Sequence, residues 1–162
     1  PNLEVVDLSD VIGSAARRAT AVLGPRALDI VLEPDLPPLI IDPVLFDQVL
    51  FNLLDNAAKY SRQGTFIRIE AHREESTVVV RVLDQGDGIP EGSLERIFDK
   101  FDRGNRGDRQ RAGSGLGLAI CRGFVDVMGG TVEAANRDDR RGAVFTITLP
   151  AGVSTQMPTE MP

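Results

Sequence analysis

Residues that build cross-linked or nucleophilic sites are nearly missing here: the 162 residues hold one cysteine, one histidine and no tryptophan. A lone Cys121 excludes an internal disulfide framework and any multi-cysteine zinc site, and its apolar surroundings point to a buried, inert thiol. Aromatics are only 5% of the chain, so the core must be aliphatic. Cationic excess is absent too. A net charge of −6 argues against nucleic acid or an anionic membrane as a partner of the bulk surface. No run approaches the roughly 18 apolar residues of a membrane span, and no basic-then-apolar leader opens the chain. The chain is therefore expected to be soluble and intracellular, and its opening at Pro1 in mid-pattern suggests a piece of a longer protein. Lysine is scarce as well. Lys59 follows Ala58 and Lys100 follows Asp99, so no Gly-Lys-Ser/Thr phosphate loop exists.

What is present is the composition of one globular domain, 42% apolar and 26% charged. Residues 3–6 read as a short strand, and Asp7 to Asp10 offer oxygens to start a helix running to about Val22. Residues 28–32 read as a second strand, stopped by Pro34, Pro37 and Pro38. Asp42-Pro43 is a strong helix start, because an aspartate caps free N–H groups and proline at the first helical position loses nothing. Phe46, Val49, Leu50, Leu53, Leu54 and Ala57 then recur at three- and four-residue spacing as far as Tyr60. Residues 66–71 and 78–83 form an expected hairpin about Glu74 to Ser76, and residues 92–98 a short helix. Residues 99–112 read as a mobile loop, 116–128 as a helix capped by Gly129-Gly130, and 131–135 and 143–149 as a second hairpin. The expected architecture is a two-layer α/β sandwich of the α+β class, with three main helices on one face of a mixed, mostly antiparallel sheet. It occupies residues 1–150, and 151–162 read as a disordered tail.

Four boxes carry chemistry. Gly113-Ser114-Gly115-Leu116-Gly117-Leu118 opens a helix, where glycines let the backbone approach a ligand and free N–H groups favour an anion. A dinucleotide fingerprint would need a strand directly before it, and an arginine-rich polar segment stands there instead. Asn52, Asn56 and Lys59 lie about one helical turn apart, where an amide oxygen can ligate Mg²⁺ and a cation can meet phosphate. Asp84-Gln85-Gly86-Asp87-Gly88 follows a strand, so Asp84 can project a carboxylate from the strand end. Phe98-Asp99-Lys100-Phe101 precedes the arginine-bearing loop. Taken singly, each group has a plain alternative: solvated helix amides, a turn aspartate, core phenylalanines, a solubilising arginine face. Jointly, those alternatives require four coincidences in order.

In that order, the boxes resemble the N, first glycine, F and second glycine boxes of the catalytic and ATP-binding domain of sensor histidine kinases. These belong to the Bergerat-fold group of gyrase, heat-shock chaperone, mismatch-repair and histidine kinase ATPases. The likeness covers residues 5–150, and the sequence around the boxes is similar to the potassium-responsive Kdp-type sensor kinases. The resemblance implies ATP and Mg²⁺ as ligands, with Asn56 on the metal and Asn52 assisting the metal or phosphates. It implies Lys59 on phosphate, Tyr60 stacked on adenine, and Asp84 accepting from the adenine amino group, with Gly86 and Gly88 leaving room for the base. Phe98 and Phe101 would anchor an ATP lid, Arg103 would approach the γ-phosphate, and Gly113, Gly115 and Gly117 would wrap the phosphates. The resemblance also places Ile89, Ser114, Leu116 and Leu118 on the same binding surface. Asp102 departs from the pattern, since an aromatic often follows the second F-box Phe, and this bears on lid packing.

The resemblance also implies the reaction. In the gyrase and chaperone branch a Glu one turn before the metal-binding Asn is the general base. Asn52 stands there, and an amide cannot take the proton from water. The γ-phosphoryl group would instead pass to a histidine on a dimerising helical hairpin, and then to a response regulator. His72 stands in a strand context unlike that hairpin, so the acceptor is expected before Pro1 in a parent that is a homodimer; this chain alone is expected to be monomeric. The parent would be anchored in the membrane, with this domain in the cytoplasm. The alternatives are an ATP-gated clamp and a nucleotide-dependent partner-binding module of the same fold.

Overall fold

The computed structural model describes residues 1–99 and 117–151, and every structural statement below refers to these. Among them the chain runs β1 (Glu4–Val6), α1 (Leu8–Arg18), α2 (Thr20–Leu23), β2 (Leu28–Leu32), β3 (Leu39–Ile41), α3 (Pro43–Tyr60), β4 (Ile67–Glu74), β5 (Thr77–Leu83), a 3-10 turn Glu91–Ser93, α4 (Gly117–Val127), β6 (Thr131–Asn136) and β7 (Ala143–Pro150). The expected disordered tail beyond Ala151 and the expected mobile loop beyond Asp99 lie outside the described residues.

Helix α3 is the axis of the molecule. Asp42 caps it through Oδ1, which accepts from the backbone N–H of Val44 and Leu45 at 3.0 and 3.2 Å. Its buried side chains are Phe46, Val49, Leu50, Leu53, Leu54, Ala57 and Ala58. Each large one contributes roughly 1.5–3 kcal/mol by leaving water, so this stripe alone explains why α3 sits in the core.

Five strands form the main sheet in the order β2-β4-β5-β7-β6. Only β2 and β4 run parallel; β4-β5, β5-β7 and β6-β7 are antiparallel, as a mixed, mostly antiparallel sheet requires. Strands β4 and β7 alternate buried and part-exposed residues, so one face is apolar and the other polar. Helices α3 and α4 pack on each other and touch the sheet, while α1 packs on α3. The opposite face carries Asp29, Arg68, Glu70 and Arg81, joined across strands by ion pairs.

Three differences from the sequence-based expectation have physical causes. The first helix does not run unbroken to Val22: Ala19, with ψ at 0°, separates α1 from α2. Strand β3 was not expected, because three residues between Pro38 and the Asp42 cap give no local strand signal. It exists by pairing with β1 in a separate two-stranded sheet, Val5 opposite Ile40. In place of a helix over residues 92–98 there is the short 3-10 turn followed by further turns. Elsewhere the expected segments agree closely, and α3 starts at Pro43 and ends at Tyr60 as read.

Candidate functional site

The site residues come from the second half of α3, the loop after β5 and the first turn of α4. Asp84 is the most constrained of them. Its side chain is 2% exposed, and Oδ1 accepts two backbone N–H groups, from Gly86 at 2.9 Å and Ala143 at 3.0 Å. Its own N–H donates to the Ala143 carbonyl, and its carbonyl accepts from Arg137 Nη1 at 3.1 Å. The second carboxylate oxygen, Oδ2, makes no hydrogen bond to any described residue. A carboxylate held rigidly by one oxygen with the other left to accept is suited to reading an N–H donor on a ligand.

The loop from Asp84 is stitched down on both sides. Gly86 pairs with Ser61 just past α3, and a Cβ at Gly86 would fall on the Tyr60 carbonyl. Gly88 has φ +85°, and a Cβ there would lie 2.6 Å from Asn136 Oδ1. Protein atoms therefore take the space that each missing side chain opens. Ile89 is buried, and its backbone exchanges two hydrogen bonds with the Asn136 side chain: N–H to Oδ1 at 2.6 Å, and carbonyl from Nδ2 at 2.8 Å. Arg137, which braces Asp84, is itself held by Asp139 through Nε at 3.0 Å and Nη2 at 2.9 Å. That fork draws the Asp139 carboxyl below the ordinary aspartate range.

On α3, Lys59 Nζ pairs with Asp55 at 3.1 Å, and Tyr60 is half-buried at the helix end. Asn56 has Nδ2 buried without a partner, and its side chain makes no hydrogen bond among the described residues. Asn52 is bonded at both ends: Oδ1 accepts from Gln48 at 2.8 Å and Nδ2 donates to the Gly117 carbonyl at 3.2 Å. This bond ties α3 to the first residue of α4. Leu118 is half-buried against the core. Cys121, one turn on, is fully buried, and that burial pushes its thiol up to about 12, partly offset by a hydrogen bond with Asn52.

Phe98 is 4% exposed, lies edge-on to Phe145 at 6.0 Å, and carries the Arg122 guanidinium 4.5 Å above its ring. Phe101, Arg103, Gly113, Ser114, Gly115 and Leu116 lie outside the described residues. The spacing rules missed Gln48, Asn136, Arg137 and Asp139. The register of β6 against β7 brings Asn136, Arg137 and Asp139 to the site, while Gln48 lies one helical turn before Asn52 on α3. A cleft bordered by Arg26, Gln63, Gly64, Thr65 and Phe66 contains none of the expected site residues.

A metal would find no ready cage, because no group of three or more His, Cys, Asp or Glu side chains is gathered among the described residues. Mg²⁺ could nonetheless be held through Asn56 Oδ1, which makes no hydrogen bond to a described residue, since this ion keeps several waters and binds through one or two protein oxygens together with substrate phosphates.

One family profile, described as histidine kinase-, DNA gyrase B- and HSP90-like ATPase, matches residues 41–153. The chain belongs to that family. Within it the similarity is to sensor histidine kinases, as the four boxes imply, and this is an ATP-binding domain of the histidine kinase type. Sensor protein KdpD of Escherichia coli (strain K12) is 42% identical over 154 residues, 95% of this chain and 17% of that protein. Adaptive-response sensory kinase SasA of Synechococcus sp. (strain JA-2-3B'a(2-13)) is 44% identical over 117 residues, 72% of this chain and 30% of that protein. The chain thus spans well under half of these relatives. Among solved structures, the mycobacterial sensor histidine kinase MprB superposes with a TM-score of 0.82 at 27% identity, covering 93% of this chain and 100% of that one. Full-length ShkA in complex with AMPPNP superposes at 0.78 and 26% identity, covering 94% of this chain and 32% of that one. No helix of the described residues is long and apolar enough to cross a membrane.

Proposed function

We propose that this histidine kinase-type domain binds ATP with Mg²⁺ and passes the γ-phosphoryl group to a histidine on a dimerisation domain of the same parent protein. The observation that carries transfer over hydrolysis is the amide at position 52. A carboxylate one turn before Asn56 would activate water, whereas Asn52 has no basic atom and is already bonded to Gln48 and Gly117. Transfer then asks the domain for positioning and charge neutralisation.

In this reading Oδ2 of Asp84 accepts from the adenine amino group, and Tyr60 flanks the base. Lys59 and Arg103 meet phosphate, with Gly113 to Leu118 wrapping it, and Asn56 ligates the metal. Mg²⁺, when bound, neutralises phosphate charge. His72 is no acceptor: it lies on the polar side of β4, away from α3, with Nε2 2.9 Å from Glu74. Residues 1–150 act as one catalytic unit. The parent is a membrane-anchored homodimer with this domain in the cytoplasm, and its product passes to a response regulator.

The test supplies a helical hairpin from the parent, with radiolabelled ATP and Mg²⁺. Acid-labile label should appear on its histidine, and this chain alone should hydrolyse ATP slowly. Substantial hydrolysis that survives Asn52→Ala would favour an ATP-gated clamp instead. A stable complex with a regulator and no transfer would favour a partner-binding module.

A further inference from the structure

Four residues on three helices form one line of hydrogen bonds. Arg18 at the end of α1 donates through Nη2 to Gln48 Oε1 at 3.2 Å. Gln48 donates through Nε2 to Asn52 Oδ1 at 2.8 Å, and Asn52 donates through Nδ2 to the Gly117 carbonyl at 3.2 Å. Arg18 is itself anchored, with Nε 2.7 Å from Asp47 and its guanidinium 4.5 Å above the Phe51 ring.

The direction of this line is forced. A guanidinium can only donate and a carbonyl can only accept. Between those ends, each amide must turn its oxygen toward Arg18 and its nitrogen toward Gly117, so one orientation of both side chains satisfies all three bonds. Reversing Asn52 would set two oxygens against each other at Gly117 and two NH₂ groups against each other at Gln48.

We propose that Gln48 is a positioning residue of the nucleotide site: by donating to Asn52 Oδ1 it holds the Asn52 NH₂ on the Gly117 carbonyl and fixes the first turn of α4 against α3. Asn52 then serves as a latch between helices, and Asn56 is the N-box residue left for the metal. This rests on the proposed reading of the site as a nucleotide site, because the N–H groups at the start of α4 matter to function only if they face phosphate.

The experiment uses this whole chain and Gln48→Glu, which keeps the shape and the bond from Arg18 but removes the donor. Two readouts are taken: hydrogen exchange of the amides in the first two turns of α4, and affinity for Mn²⁺ with a fluorescent ATP analogue. Gln48→Glu should raise exchange there about tenfold and weaken the analogue about tenfold, one hydrogen bond's worth, with exchange in β5 and β7 unchanged. Asn52→Asp should do the same, since a carboxylate cannot donate to a carbonyl. If Asn52 is a metal ligand instead, Asn52→Asp keeps or tightens Mn²⁺ analogue binding and leaves α4 exchange unmoved, which overturns the latch. Gln48→Met gives the same exchange reading should the Glu variant not fold. If wild type binds no analogue but the variants still loosen α4, the nucleotide reading fails and the latch stands. Wild-type binding with unchanged variants sinks the latch alone.

Discussion

Oδ1 of Asp84 accepts the backbone N–H of Ala143 at 3.0 Å, across 59 residues of chain. The strand end that carries the expected base-reading carboxylate is thereby locked to the start of β7, and one carboxylate has two separable jobs. Asp84→Asn keeps an oxygen for the Gly86 and Ala143 N–H groups but turns the second acceptor into a donor. Its stability by urea denaturation should stay within ~1 kcal/mol of wild type, while ATP affinity falls about 10- to 100-fold. Asp84→Ala leaves two buried N–H groups unpaired and should lose about 2–4 kcal/mol of stability. An Asn variant that binds ATP like wild type removes Asp84 from nucleotide recognition.

The glycines of the same loop should differ in their tolerance. A Cβ at Gly86 collides with the backbone carbonyl of Tyr60, which cannot step aside without moving the end of α3. Gly86→Ala is expected to cost about 1–3 kcal/mol, and Gly92→Ala, where nothing lies within 4 Å, almost nothing. Thermal melts of the two variants compare them directly; equal melting temperatures would refute the close approach.

Cys121 should resist thiol reagents in the folded protein. With its thiol pushed up to about 12, only about one molecule in ten thousand is thiolate at pH 8, against roughly a quarter for an ordinary thiol. Iodoacetamide labelling should therefore be slow until denaturant opens the core. Rapid labelling of native protein at pH 8 would contradict the packing of α4 against α3.

Acid should act through the caps. Asp42 lies below its ordinary value near 3.8, chiefly because the Asn2 N–H bonds its carboxylate, with Leu45 and Val44 adding to this. A folded value below the unfolded one means that its stabilisation is complete above the ordinary aspartate value and is lost as pH falls through the depressed one. Asp42→Asn keeps a capping oxygen that does not titrate, so it should lose less stability than wild type between pH 6 and pH 3. Parallel stability curves for the two proteins would show that this carboxylate does not contribute to acid sensitivity.

Local rules recovered the elements whose cause is local. Asp42, Pro43 and the three-to-four spacing of apolar residues define α3 without help from the rest of the chain, because capping and amphipathicity act within one or two turns. Two runs of strand-forming residues about the polar turn Glu74 to Ser76 did the same for β4 and β5. Strand β3 and the break at Ala19 escaped, since a three-residue strand exists only through its partner β1 and a single residue with ψ at 0° carries no compositional mark.

For the site, the sequence by itself determined which residue types are available and their order: the amides of α3, the aspartate at the end of β5, the glycines before α4. Those are properties of chemistry and spacing; the family came from the resemblance of the ordered boxes, and the profile over residues 41–153 shows the membership. Only the tertiary structure decided what each group touches. Asn136 and Arg137 reach the Asp84 loop through the turn between β6 and β7, 47 and 53 residues away in the chain. Gln48 gains its role from a carbonyl on another helix, through an Asn52 bond that spans 65 residues. Hydrogen bonds of that separation form only after the sheet and helices have buried their apolar faces, so no local pattern in the sequence records them.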